Sequence, residues 1–552
     1  MARAAKPRKQ RKPWSMAKVV AGSSTGTAFE WYDFFIFGLL APVISKVFFA
    51  GLDPTAGLIA ALGLFAAGFA FRPLGAILFG ALGDRIGRKA TFLMTVSLMG
   101  GATFLIGLLP TYAQAGIVAP ILLILLRIIQ GTALGGEYGG AAIYVAEHAE
   151  PRNRAGATGW IQATAAFGLI AALVVIYVTR TSMGEEAFAA WGWRIPYLVS
   201  IVLLGMSVFL RAKLAESPAF AALKEEGNVT RAPLREAFTQ RRNLKRVLIA
   251  FFGIMCAQGA VWYCAFFYIQ VFLEKSLGVP AATVNLIVLV MTLVSAPLYV
   301  FFGWLGDRVG RKPVMVGGML LALVAYFPGF HGIAKAVNPA QVAAQYRTPV
   351  VVYTNPESCS VQFDPVGTRQ FKSACDIAKS NLASIGVNYG TRPSPDGTTM
   401  VDIGSTVLPV ADGSQLDGPG LKAAKAEVGK RLKAALQTAG YPASADPKQM
   451  DFVTLGFWLL VFVIAATALY GPQAAALVEM FPTRVRYTAM SLPYHVGTGW
   501  VGGFLPVTSF ALVAISGNIY QGLWYSVFFT AVSVVVSLLF LKETRGKPLP
   551  SV

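Results

Sequence analysis

The sequence predicts an all-α membrane protein: twelve transmembrane helices in two six-helix halves, with a polar insertion between helices nine and ten. Three observations carry this. The 552 residues are 55% hydrophobic and only 13% charged, whereas a soluble domain carries about 25% charged residues. About twelve apolar runs of roughly 18–30 residues are each long enough to cross a hydrocarbon core of ~30 Å. Finally, the segment Gly83-Asp84-Arg85-Ile86-Gly87-Arg88-Lys89 returns 223 positions later as Gly306-Asp307-Arg308-Val309-Gly310-Arg311-Lys312. Both copies lie in short gaps between apolar runs, so one membrane unit has been doubled.

The expected spans are 17–45, 55–80, 90–110, 116–146, 156–180, 192–212, 247–272, 281–305, 313–332, 451–478, 487–513 and 517–541. Runs of this length lack the period-2 alternation of a barrel strand, which leaves helices as the spanning element. The domain plan follows: a basic tail (1–16), a six-helix half (17–212), a polar linker (213–246), helices seven to nine (247–332), the insertion (333–450), helices ten to twelve (451–541) and a short tail (542–552). The linker carries a Pro-marked start, Glu216-Ser217-Pro218, and enough charge for a short surface helix. A second internal match, Glu147 to Arg154 against Glu479 to Arg486, has an offset of 332. The excess over 223 is the size of the insertion, in which Leu421–Ala439 reads as a helix.

A net charge of +20 raises the question of nucleic acid, but its placement argues for a membrane. Lys and Arg collect before the first span (Arg3, Lys6, Arg8, Lys9, Arg11, Lys12, Lys18) and in every second gap; the alternate gaps hold few. This asymmetry predicts both termini and the linker in the cytoplasm, with the basic face toward anionic lipid. No cleavable leader is expected, because Glu30 and Asp33 interrupt the first apolar run. Orientation counting puts the insertion outside the cytoplasm, where Cys359 and Cys375 can form one disulfide or remain two thiols in a loop. Cys256 and Cys264, in the seventh span, read as small packing residues.

Ionisable residues in mid-membrane cost at least ~2.5 kcal/mol and are functional candidates. Glu30 and Asp33, three apart, share one helical face of the first span. Arg127, Gln130, Leu134 and Glu137 fall within roughly 80° of arc on the fourth, and Arg72 precedes Pro73 in the second. Two carboxylates on one helix can thus meet a cation and a carboxylate on another. The second half lacks these charges: position 127 plus 332 falls on Leu459, and Trp262-Tyr263 aligns Asp33 with Cys264. Its polar candidates are Gln258, Tyr263, Tyr268, Asn285, Tyr494 and His495, with Gln162 in span five. His495 reads equally as a proton or substrate ligand and as a packed, hydrogen-bonded histidine. There is no phosphate loop and no His/Cys cluster at metal spacing.

Two Gly-x-Leu-Gly-Asp-Arg-x-Gly-Arg-Lys segments, from Gly80 and from Gly303, resemble the loop signature of the major facilitator superfamily. Glu30-Trp31-Tyr32-Asp33-Phe34, Arg127-Ile128-Ile129-Gln130-Gly131 with Gly135-Gly136-Glu137, and Glu147-His148-Ala149 resemble its metabolite:proton symporter branch, which includes carriers for proline and betaine, 2-oxoglutarate, citrate and shikimate. The resemblance covers all the spans and omits the insertion. It implies a multi-pass protein of the cytoplasmic (inner) membrane, not an enzyme, that takes up a small polar, carboxylated metabolite with a proton as coupling ion and no other cofactor. A monomer without nucleic acid is the expected unit. Asp84, Arg85, Arg88 and Glu147, with Asp307, Arg308, Arg311 and Glu479, are expected to form a latch joining the two halves at the inner mouth. Uptake of a zwitterionic osmoprotectant is the alternative; it is weakened because the chain stops about ten residues past its last span, without the heptad tail of the osmosensing relatives. Drug efflux is disfavoured by a fifth span lacking a clustered Gly-Pro signature. A non-transporting sensor, with the insertion as its ligand-binding part, is the reading from another class.

Overall fold

The computed structural model describes residues 15–50, 68–361 and 371–550. The first expected span is a bent pair, α1 (Met16–Leu39) and α2 (Ala41–Phe48), meeting at 62°. Pro42 in the first turn of α2 forces the break, since it has no N–H to continue the ladder. The second expected span falls partly outside the described residues, which contain α3 (Arg72–Ile86). Then come α4 (Arg88–Leu108), α5 (Val118–His148), α6 (Arg154–Met183) and α7 (Arg194–Ala212). The polar linker forms two helices instead of one, α8 (Pro218–Glu225) and α9 (Pro233–Thr239), each opened by a proline that tolerates the first turn. The seventh span begins six residues before its expected start: α10 runs Arg241–Ser276, followed by α11 (Ala281–Val309) and α12 (Arg311–Val337).

Beyond the last Val of α12 lies an α/β unit where a mostly irregular insertion was expected. It contains α13 (Pro339–Arg347), α14 (Ala374–Ile385) and α15 (Gly418–Thr438), with a four-stranded sheet in the order β2-β1-β3-β4. Strands β1 (Val350–Thr354) and β2 (Tyr389–Pro393) are parallel; β3 (Met400–Ile403) and β4 (Thr406–Pro409) continue antiparallel. Val350, Val352, Ile377, Leu382, Val401, Ile403, Leu432 and Leu436 form its own apolar core. The chain returns to the bundle through α16 (Phe452–Met480), α17 (Arg486–Ser516) and α18 (Leu523–Phe540). Ten helices among the described residues are long and apolar enough to span a membrane, eleven with the bent pair.

The unit is seated on the second half. Gln341 donates to the carbonyls of Ser276 and Gly386, both at 2.8 Å, Tyr389 N donates to Gly517 O at 2.8 Å, and Ile519 N donates to Asn388 Oδ1 at 2.9 Å. These bonds tie the ends of α10 and α17 to the unit's sheet and helices. Cys359 and Cys375 are joined across a separation of 16 residues. Reducing this bond is expected to cost the unit about 3 kcal/mol, the chain-entropy value for a loop of this length. Amide exchange in α14 should then accelerate under reductant; unchanged protection there would show that the bond does not hold the unit together.

Burial sorts the spans. In α10 the apolar window is 78% buried, against 28% in α7 and α11, so α10 is interior and the other two form the rim. Interior α10 is also irregular, with π-helical turns at Phe251–Met255, Cys264–Tyr268 and Phe272–Ser276. Such turns shift side chains off the 3.6-residue register and are frequent where a helix lines a site; here they bracket Gln258 and Tyr263.

Candidate functional site

Mid-bundle, the first half builds a charged chain. Asp33 of α1 accepts from Thr103 Oγ1 at 2.9 Å; Thr103 accepts from Gln130 Nε2 at 2.5 Å; Gln130 Oε1 accepts from Arg127 at 2.9 Å. Three helices, α1, α4 and α5, thus carry one continuous polar connection from a carboxylate to a guanidinium. The Arg127 guanidinium also lies over the Phe37 ring at 3.9 Å, and Arg72 lies over Phe69 at 4.2 Å and Phe34 at 5.9 Å. Aromatic faces attract these cations in a setting too dry for water to do so. Glu30, Asp33, Arg72, Arg127 and Gln130 line one cavity, so five of the expected residues do converge.

A second cavity shares Glu30 and Arg72 and continues toward the other half. Its wall includes Gln162, Gln258, Tyr263, Tyr494 and His495. It measures about 30 Å³, room for a water or two, so anything larger could enter only if the side chains parted. Two aromatic contacts close it between the halves: Tyr138 stacks on Tyr494 at 3.7 Å, and Trp31 faces Trp262 at 6.3 Å. Tyr494 shares a 2.7 Å hydrogen bond with Tyr470, and Gln162 donates to the Tyr138 hydroxyl at 2.7 Å. Glu30 Oε2, Gln258 Oε1 and both ring nitrogens of His495 are buried with no hydrogen-bond partner. Buried polar atoms left unpaired are costly, and three such residues around one cavity suit a polar ligand.

Nearer the ends of the helices lies a pseudo-symmetric cluster built from the repeated segments. Gly87 and Gly310 hold φ of 113° and 126°, where a Cβ would be strained. The resulting tight turns leave Asp84 and Asp307 projecting from the helix ends. Asp84 accepts from the backbone N–H groups of Tyr487 (3.2 Å) and Thr488 (2.8 Å) at the start of α17, and pairs with Arg88 at 3.0 Å. Asp307 does the same at the start of α6, accepting from Ala155 (3.0 Å) and Gly156 (2.7 Å) and pairing with Arg311 at 2.9 Å. Each carboxylate therefore caps a helix of the opposite half, at the positive end of its dipole. Arg154 crosses to Glu479 at 2.7 Å and Arg486 to Glu147 at 2.5 Å. Glu216 of the linker and Glu543 of the C-terminal tail complete the pattern, accepting from the first N–H groups of α4 and α12 (Arg88 N and Arg311 N, both 3.1 Å).

Four expected residues belong elsewhere. Glu137 does not pair with Arg127: ten residues apart on α5, the two are separated by about 15 Å along the axis. Glu137 instead binds Arg211 at 2.5 Å and Thr95 at 3.0 Å. Asn285 is exposed, one position beside the buried Val284 of α11, and lines neither cavity. Arg85 and Arg308 are exposed, a 100° turn away from the buried Asp84 and Asp307. Arg85 donates to the Arg231 carbonyl and Arg308 lies over Trp304 at 4.3 Å. Sequence reasoning missed Thr103, Tyr138, Tyr470, Arg211, Arg154, Arg486, Glu216 and Glu543. The last pair had a readable signal, a Glu followed by a hydroxyl residue just past the sixth and the last spans. Thr103 had none.

Residues 24–330 match the family model described as Major Facilitator Superfamily, and residues 434–552 match that described as Sugar (and other) transporter. The proline/betaine transporter of Salmonella typhimurium is 35% identical over 324 residues, 57% of this chain and 64% of that protein; the chain thus matches less than two thirds of that relative's length. The shikimate transporter of Escherichia coli is 35% identical over 316 residues, 57% of this chain and 72% of that protein. In fold, the chain is similar to the proton:xylose symporter XylE bound to 6-bromo-6-deoxy-D-glucose, with a TM-score of 0.58 at 16% identity over 97% of both chains. With the family model matched over more than half of the chain, this multi-pass membrane protein belongs to the major facilitator superfamily.

Proposed function

We propose that this chain is a secondary active transporter that takes up a small, polar, carboxylated metabolite together with a proton, acting as a monomer by alternating access in a twelve-span arrangement. The observation that carries the reading is the Asp33–Thr103–Gln130–Arg127 chain beside a neutral, polar cavity wall. A carboxylate at this depth must be neutralised, either by a cation reached through its hydrogen bonds or by a proton. Taking up a proton at Asp33 would loosen Arg127 and free its fork for a substrate carboxylate. Glu30 and Arg72, shared by both cavities, would carry the change toward the substrate side; Gln162, Gln258, Tyr263, Tyr494 and His495 would hold neutral parts of the substrate. The relatives named as proline/betaine and shikimate transporters support the class of cargo.

A zwitterionic osmoprotectant is the second reading. Trp31, Trp262, Tyr263, Tyr470 and Tyr494 line the second cavity with Arg72 and Glu30, and aromatic faces suit a quaternary or secondary ammonium. Purified protein in liposomes with an imposed pH gradient would separate the readings, offered labelled proline, betaine, shikimate, 2-oxoglutarate and citrate in turn. Gradient-dependent accumulation of one of them is the expected result. Equilibration without accumulation, whatever the gradient, would remove proton coupling from the reading.

In this reading the latch end faces the cytoplasm together with the termini and the linker, the basic face meets anionic lipid, and the α/β unit lies outside. The support is the alternation of Lys/Arg-rich and Lys/Arg-poor gaps. Ser414 and Asn228 are both exposed, while the native cysteines are buried or bonded. A membrane-impermeant thiol reagent should therefore label a cysteine at 414 in intact cells and leave one at 228 unlabelled. The opposite pattern inverts the topology.

A further inference from the structure

Beside the latch lies a cavity of about 340 Å³ that belongs to neither site, walled by Glu236, Gln240, Arg242, Asn243, Arg246 and Arg484 among others. Its size is at the small end of ligand pockets. Its charges do not cancel. Arg484 holds Glu236 through two bonds, 2.8 and 3.0 Å. Burial works against the Glu236 charge, yet the hydrogen bonds from Arg484 and Thr230 keep its carboxyl below the usual carboxylate range, so this pair is closed. Arg242 and Arg246 have no carboxylate within ion-pairing distance among the described residues. They are one turn apart on α10 and share a face, an arrangement that is destabilising for like charges. Arg242 also stands in the first turn, which contains no acidic residue, at the positive end of the helix dipole. Asn243 directs its amide to the Glu236 carbonyl and Gln240, 3.0 and 3.1 Å away, and so supplies no compensation.

We propose that this cavity binds an anion of the phosphate class, held by Arg242 and Arg246 with Nη1 of Arg484, which makes neither bond to Glu236, at its far wall. Planar guanidinium forks match phosphate oxygens two at a time. The walls come from α9, from the start of α10 and from the turn before α17. That same turn supplies the Thr483 carbonyl that Arg88 donates to at 2.6 Å and leads directly into Arg486, which pairs with Glu147. A bound anion therefore braces the linker against the turn on which the latch is built and favours the latched arrangement. The site stands apart from the identity of the cargo.

The test is the unfolding midpoint of the purified full-length chain in uncharged detergent. The midpoint is titrated with inorganic phosphate, and separately with phosphatidylglycerol against phosphatidylcholine in mixed micelles. At least one phosphate-bearing ligand should raise it saturably, beyond sodium chloride at equal ionic strength. Arg242→Gln with Arg246→Gln should move half-saturation at least tenfold higher, while Lys430→Gln with Lys433→Gln on the α/β unit leaves it unchanged. Saturation by inorganic phosphate identifies a soluble anion, and saturation by phosphatidylglycerol alone identifies a lipid head group. The proposal is overturned if neither ligand exceeds chloride, or if the double variant responds as the wild type does. If the double variant does not fold, Arg246→Gln alone carries the comparison.

Discussion

Replacing Asp33 with Asn is expected to abolish accumulation driven by a pH gradient while leaving exchange of internal for external substrate intact. The amide has the same shape and still accepts from Thr103, so the cavity keeps its packing; what it loses is the ability to take up and release a proton. A one-unit pH gradient corresponds to ~1.4 kcal/mol, or about tenfold accumulation for a one-to-one symporter. The variant should fall to about onefold. The compound that the liposome panel identifies is the probe, measured both for net uptake and for counterflow. Arg127→Lys should behave differently. It keeps the charge but loses the fork that reaches Gln130 at 2.9 Å, so affinity for a carboxylate should weaken while coupling survives. If the Asp33→Asn protein still accumulates substrate tenfold, Asp33 serves only the hydrogen-bond chain, and Glu30 becomes the residue to test.

How much of this was legible in the sequence depends on whether a residue stood in a pattern. Asp84, Arg88 and Glu147 recur as Asp307, Arg311 and Glu479, and the duplication pointed to these six before any geometry. Glu30, Asp33, Arg72 and Arg127 stood out because charge in an apolar run is expensive. Thr103 is equally essential to the Asp33–Arg127 connection, yet a threonine in a membrane helix has no such cost and carries no signal. Glu137 was expected to share the cavity with Arg127: helical phase puts it on the same face, while the rise along α5 puts it two to three turns away, against Arg211. Its partner Arg211 sits at the very end of a span, where a basic residue reads as a headgroup anchor. The strands of the α/β unit escaped because each has only four or five residues. Even Val350–Thr354, with its β-branched run, alternates between buried and half-buried positions without the long apolar stretch that made the membrane helices plain.

Asp84→Asn is expected to act on the rate of conformational cycling and to leave substrate affinity nearly unchanged. Asp84 is fully buried, bonded to two N–H groups of the opposite half and paired with the equally buried Arg88. An amide can keep one acceptor contact but leaves Arg88 with only the carbonyls of Gly83 and Thr483 and the Glu147 carboxylate 3.9 Å away. Removing one member of a buried pair typically costs 3–5 kcal/mol. That cost applies only to the latched arrangement, because an open mouth would let water reach the arginine. A bias of about 3 kcal/mol changes the ratio of latched to open protein by roughly a hundredfold. A carrier held mostly open at one mouth should turn over about tenfold or more slowly. The substrate cavities lie mid-bundle and contain neither residue, so binding to the open form should persist. Asp307→Asn should do the same at the matching position, which is less deeply buried and keeps Arg154 and Arg311 near Glu479; its effect should be smaller. The measurement is paired: counterflow rate and substrate affinity, with thiol accessibility of a cysteine placed at Ser491, a near-isosteric change at a buried residue that packs against Gly139 across the halves. Greater labelling in Asp84→Asn with unchanged affinity is the expected result. A collapse of affinity with normal cycling would place Asp84 with the substrate site and remove it from the latch.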